Sequence, residues 1–305
     1  MEKQLTRSAM FYSIGFIFML VCAVGAFFYG VQYGSEQTKT SYEMKQLNSE
    51  AKSKPTPYQQ QDLVSYYHTV FLPYREFQNE WFNALKKLEQ DDSADGNAIF
   101  KDLSKLAKKK AGEVASFNMQ QSPLLGEAQT SVIKSLELFE QTSNRAANKA
   151  KTLNSAKLIA AVNDDSIYQA AVKQSLSSQQ SYYSAMMKWA ATVNSDIPNE
   201  YKFPNILEIS KWNKLPLIVK NKLMADHLLS HKQLTNFYPQ DLVIRIDEFI
   251  KTGQASKMKI RSIAAIAELL MNTAAVRNGD YSSGFEQMYS KEVLPLLPFF
   301  TNTSS

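Results

Sequence analysis

The first feature of the apolar pattern is a stretch with no charge at all between Arg7 and Glu36, inside which the apolar run Ala9 to Val31 covers 23 residues. At 1.5 Å per residue a helix of that length crosses a hydrocarbon core of roughly 30 Å. The pattern therefore predicts a transmembrane signal-anchor helix over residues 8–34, with residues 1–7 on the cytoplasmic side. Cleavable signal peptides have a shorter apolar core, of about 7–15 residues. A cut after Ala26 is the alternative, but Phe27, Phe28 and Tyr29 continue the apolar run beyond it. Lys3 and Arg7 precede the run, whereas Lys39 and Lys45 after it are offset by Glu43 and Glu50, and positive residues resist translocation. The expected location is the cell membrane, single-pass, with the N-terminus inside and the bulk of the chain outside. The reversed topology would leave the same chain in the cytosol as a membrane-tethered adaptor.

Residues 35–57 are polar and charged and end in Pro55 and Pro57, which reads as a tether. Fully extended, at about 3.3–3.6 Å per residue, it would hold the rest roughly 75 Å from the bilayer.

Helical spacing then takes over. Leu63, Tyr67, Val70, Tyr74, Phe77, Trp81, Ala84 and Leu88 step by three and four, with Pro73 predicting a kink. After the turn DDSADGN, Ile99, Leu103, Leu106, Val114 and Phe117 mark a second helix. Ser122-Pro123 signals a third start, from which Leu125, Val132, Phe139, Ala146, Leu153 and Ala160 recur every seven residues, the period of a supercoiled seam. Asp164-Asp165 opens a fourth helix through Val172, Leu176, Tyr183, Met186, Ala190 and Val193. These four predict an all-α, elongated, coiled-coil-like bundle over residues 58–195. The segment NSDIPNEYKFPN breaks the pattern, and residues 196–305 read as a smaller helical domain, with helices near 206–212, 216–234, 239–252, 258–277 and 284–293. Glu268 interrupts the most apolar of them, which argues for a core helix and against a second span.

Composition narrows the function classes. Without Glu2, Lys3 and Arg7 the chain keeps 32 basic and 28 acidic residues, far from the dense positive footprint of a nucleic-acid binder, so no nucleic-acid partner is expected. The single cysteine, Cys22, lies in the apolar run, which leaves everything after it without a disulfide or a thiol nucleophile. A large exported domain without disulfides points to a bacterial envelope.

Candidate chemistry is sparse. His227 and His231 in ADHLLSHK are four apart and share a helical face, so they could hold a metal; but Leu228 stands where an H-E-x-x-H protease has its general base. They are weak candidates, and no cofactor is expected. No glycine arrangement makes a phosphate loop, and the doublets Asp91-Asp92 and Asp164-Asp165 read as helix caps. Two recognition surfaces stand out. Lys101, Lys105 and Lys108 form a basic stripe suited to an anionic envelope polymer or a headgroup surface. Leu294, Leu296, Leu297, Phe299 and Phe300, around two prolines, form an irregular apolar segment that either packs back or meets a partner protein. The sequence thus predicts a non-enzymatic membrane-anchored scaffold, adaptor or regulator of another envelope protein, with an envelope metal-dependent hydrolase using His227 and His231 as the alternative.

Overall fold

The computed structural model describes residues 57–289 and 292–300. The expected cytoplasmic segment 1–7, the signal-anchor 8–34 with Cys22 and nearly all of the tether 35–57 lie outside the described residues. Those described lie in one compact, all-α unit. Among them no helix is long and apolar enough to cross a membrane, and the only β contact is an isolated antiparallel bridge between Glu208 and Ser262.

Helix α1 (Gln60–Tyr66) begins where the Asp62 carboxylate accepts the Gln59 N–H at 3.3 Å. It runs through a π-helical turn, Tyr67–Phe71, into α2 (Leu72–Gln90). Pro73 explains the turn: its ring would crowd the carbonyl one α-turn back and it has no N–H to donate, and a wider turn just ahead of it relieves both. The predicted stripe is buried at Leu63, Val70, Tyr74, Phe77, Trp81 and Leu88.

Several later expectations need correction. The buried face of α3 (Gly96–Ala115) is Phe100, Leu103, Ala107 and Val114, one position round from the predicted Ile99; Phe117 lies beyond the helix end, 46% exposed. The cap of α3 is Asp95, whose Oδ1 accepts the Ala98 N–H at 3.0 Å, while Asp91 closes a local turn on Ser93. The sevenfold repeat does not run on as one helix. Helix α4 (Pro123–Lys149) buries Leu125, Val132, Phe139 and Ala146, then the chain turns and restarts at Asn154 as α5 (Ser155–Asn163), leaving Leu153 half-buried and Ala160 exposed. Asn154 accepts the Lys157 N–H at 3.0 Å, a local cap that competes with helix continuation. Ser122 precedes α4 without capping it; its hydroxyl donates to the Pro57 carbonyl and lies 3.0 Å from Asp62.

Helix α6 (Ser166–Val193) is capped by Asp165, which accepts the Ile167 N–H at 2.8 Å. It packs along α4, which packs along α3, and α2 lies against α3 and α5. Their shared core is aromatic: Phe139 stands 5.0 Å from Phe77 and 4.8 Å from Trp81, and Trp81 stacks on Tyr168 at 5.5 Å, ring centre to ring centre. Truncating Phe139 or Trp81 to alanine is worth about 3–5 kcal/mol at such sites.

Beyond the predicted break come α7 (Ile209–Trp212), α8 (Leu217–His231), α9 (Pro239–Lys251), α10 (Gln254–Lys257), α11 (Ile263–Asn272) and α12 (Asp280–Met288). Helix α8 packs on α6 on one side and α9 on another, and so is buried nearly all round, from Leu217 to Leu228. It ends where Lys232 turns left-handed, at φ 54°. The predicted helix over 258–277 is shorter because Lys259, at φ 57°, breaks the chain before it and Ala274, at φ 50°, after it. Helix α12 comes so close to α9 at Gly284 that an added Cβ would meet Ile244 Cδ1 at 2.5 Å. Past α12 the chain folds back: Leu297 and Phe300 are buried, and the Gln60 amide bonds the Leu296 backbone at 3.2 and 3.4 Å.

Candidate functional site

The histidine pair sits at the end of α8. The one-turn spacing brings the rings to 4.0 Å, tilted by 39°. Phe203 lies over the His227 ring at 5.9 Å, so His227 is enclosed between an aromatic ring and its neighbour. His231 directs Nδ1 to the His227 carbonyl at 2.9 Å and Nε2 to Glu268 at 3.1 Å. Nε2 of His227 is buried with no partner. Burial, reinforced by His231, lowers the His227 pKa to about 4, which keeps the ring neutral at physiological pH. Asp226 is turned to Lys222 at 2.5 Å and Gln180 at 2.9 Å, away from any site shared with the histidines. Among the described residues no group of three metal-ligating side chains converges.

Lys101, Lys105 and Lys108 are exposed on α3. Acidic residues interleave with their neighbourhood: Asp102 lies 3.2 Å from Lys105, and Glu113 3.7 Å from Lys109. Lys110 turns inward to Glu76 and Glu113. The apolar C-terminal segment divides. Leu297 and Phe300 join the core, Leu294 and Phe299 are half-buried, and Leu296 is 54% exposed. Phe299 packs at 5.5 Å from Tyr67 and Phe71 and 5.8 Å from Tyr238.

Two buried polar centres have no counterpart in the sequence reading. In the first, Asp247 on α9 receives Lys220 of α8 at 2.8 Å, together with the Trp212 indole N–H and the Tyr289 hydroxyl. Burial and the adjacent Asp247 charge push the Tyr289 pKa up, so the phenol keeps its proton and donates it. The second surrounds Arg75, which is only 5% exposed. Its Nη1 donates to Gln78 at 3.2 Å, its Nη2 to the Asn236 carbonyl at 2.9 Å, and its guanidinium lies 4.2 Å from the centre of the Tyr238 ring. The available signal was the spacing Phe71, Arg75, Gln78, which places Arg75 beside the aromatic stripe and not opposite it.

Comparison of the chain with protein-family models, curated protein sequences and solved structures finds no match.

Proposed function

We propose that this chain is a single-pass, membrane-anchored helical scaffold or regulator of another protein of the bacterial envelope, non-enzymatic, with its N-terminus cytoplasmic and its helical body outside. The observation that carries this reading is the 23-residue apolar run in a stretch free of charge from Arg7 to Glu36, followed by a polar tether. The long helices of residues 58–195, as a coiled-coil-like bundle, then set distance from the membrane, and residues 196–305 present the contact. Support for a protein contact in the second part is the exposure of Leu296 and its neighbour Val293, at 54% and 38%, beside a tail otherwise anchored in the core.

A photo-crosslinking residue at position 296 in intact cells tests the contact. Capture of a membrane or envelope protein, lost on Leu296→Asp with helicity and melting temperature unchanged, is the expected result; capture that survives Leu296→Asp moves the contact elsewhere. A reporter active only outside the cytosol, fused after Ser305, should be active in the membrane fraction, and activity of a cytosol-only reporter there refutes the topology. Stoichiometric zinc in the purified chain, abolished by His227→Ala, would replace the scaffold reading with a metal enzyme.

A further inference from the structure

A buried titratable base ordinarily escapes the cost of burial by losing its proton, as His227 does. Arginine cannot, because its guanidinium stays charged throughout the pH range in which proteins fold. Arg75 is buried to 95%, and among the described residues no carboxylate lies within 4.0 Å of it. Gln78, the Asn236 carbonyl and the Tyr238 ring orient the guanidinium and relieve part of the desolvation, but all three are neutral. The charge itself has no counterpart, and the remaining nitrogen, Nε, is buried without an acceptor.

Arg75 belongs to the wall of a cavity. Arg75 and Gln78 of α2 and Ser175, Ser178 and Gln179 of α6 line it, with Thr235 from the loop before α9. The cavity has a volume of about 20 Å³. A single bare monatomic ion fits such a space, whereas a hydrated ion, a nucleotide or a sugar phosphate does not. Gln179 supplies a second unpaired group, since its Oε1 is buried without a donor. A half-turn of the amide exchanges that oxygen for an NH2, so the same side chain can donate to an anion. The remaining walls include Tyr66, Phe71 and Tyr182, whose rings exclude solvent and strengthen any charge pairing inside.

We infer that the Arg75 cavity is a binding site for a halide ion, held on Nε of Arg75 with the Gln179 amide donating from α6. Bound there, the anion neutralises the guanidinium and ties α2, α6 and the 232–238 loop together. The site does not depend on the membrane tether or on the envelope partner.

Two measurements on the full-length chain, purified in detergent, test it. In a gluconate buffer of constant ionic strength, replacing gluconate by chloride should raise the melting temperature saturably, by about 5–10 °C once chloride exceeds its dissociation constant about a hundredfold. Arg75→Met should abolish the response. Gln179→Glu, which supplies a carboxylate from within, should melt higher than the parent in gluconate and gain nothing from chloride. An unresponsive parent, or an equal response in Arg75→Met, overturns the site. Crystals of the parent grown in bromide decide the matter even if a variant misfolds: an anomalous peak within hydrogen-bond range of Arg75 Nε is expected. Its absence, with bromide only at exposed lysines, refutes the assignment.

Discussion

The Lys220–Asp247 centre and the Arg75 centre bury the same kind of charge in opposite ways. Lys220 lies against the Trp212 ring at 5.2 Å and has its carboxylate at 2.8 Å, and that carboxylate is saturated by two further donors. Arg75 likewise lies against a ring, at 4.2 Å, but its hydrogen-bond partners are neutral and one nitrogen has none. His227 shows the third route, staying neutral. Burial alone therefore does not separate a structural polar cluster from a site that can take a ligand. Closure of the charge and hydrogen-bond account does.

Breaking the closed centre should have the largest effect. Asp247→Leu leaves Lys220 buried without its counter-charge and orphans the Trp212 and Tyr289 donors, so a loss of about 3–5 kcal/mol is expected. Chemical denaturation measures it, and a loss below about 1 kcal/mol would show that the centre does not stabilise the fold.

The neutral route should show in the pH dependence. His227 has its folded-state pKa lowered to about 4, so the unfolded chain takes up the proton first. Its contribution is present above pH 6.5 and lost as pH falls towards 4, about 3 kcal/mol in all. Asp241 acts in the opposite sense. Burial raises its pKa to about 6 against the lowering pull of the Tyr281 and Tyr238 N–H bonds, so its contribution is present below pH 3.8 and lost as pH rises through 6. The two nearly cancel in the parent. In His227→Gln the gain from Asp241 is no longer offset by the histidine, and the melting temperature should rise as pH drops from 6 to 4. A variant that instead loses stability over that range contradicts the raised pKa of Asp241, and a profile identical to the parent's contradicts the neutral burial of His227.

The smallest effect is expected at the open centre. In buffers without a small anion, Arg75→Met removes an uncompensated charge and keeps most of the volume, so stability should change by less than about 1 kcal/mol, or rise. A loss of 3 kcal/mol or more would place Arg75 beside Lys220 as a structural cation.

The long helices were legible because their apolar residues return every three or four positions and one face is buried: Leu63 to Leu88 is the clearest case. What displaced the expected boundaries was local chemistry that periodicity does not register. Asn154 restarts a helix that the sevenfold repeat would have carried to Ala160, and Asp95 takes the cap read onto Asp91. Helix α8 was expected near 216–234, but not its packing on several sides, since a helix buried nearly all round has no stripe. The polar centres were the least legible part. Lys220 and Asp247 are 27 residues apart, and Arg75 meets its carbonyl partner 161 residues away; nothing in either neighbourhood records a contact at that separation. The histidines, by contrast, stood out only because they are close in sequence.

The contrast between the two buried cations is tested most directly by nitrogen NMR of the chain labelled at arginine and lysine. On titration with chloride at constant ionic strength, the Nε–H signal of Arg75 should move and saturate while the Lys220 ammonium signal stays in place. An Arg75 signal that does not move, or that moves equally with gluconate, would contradict the account.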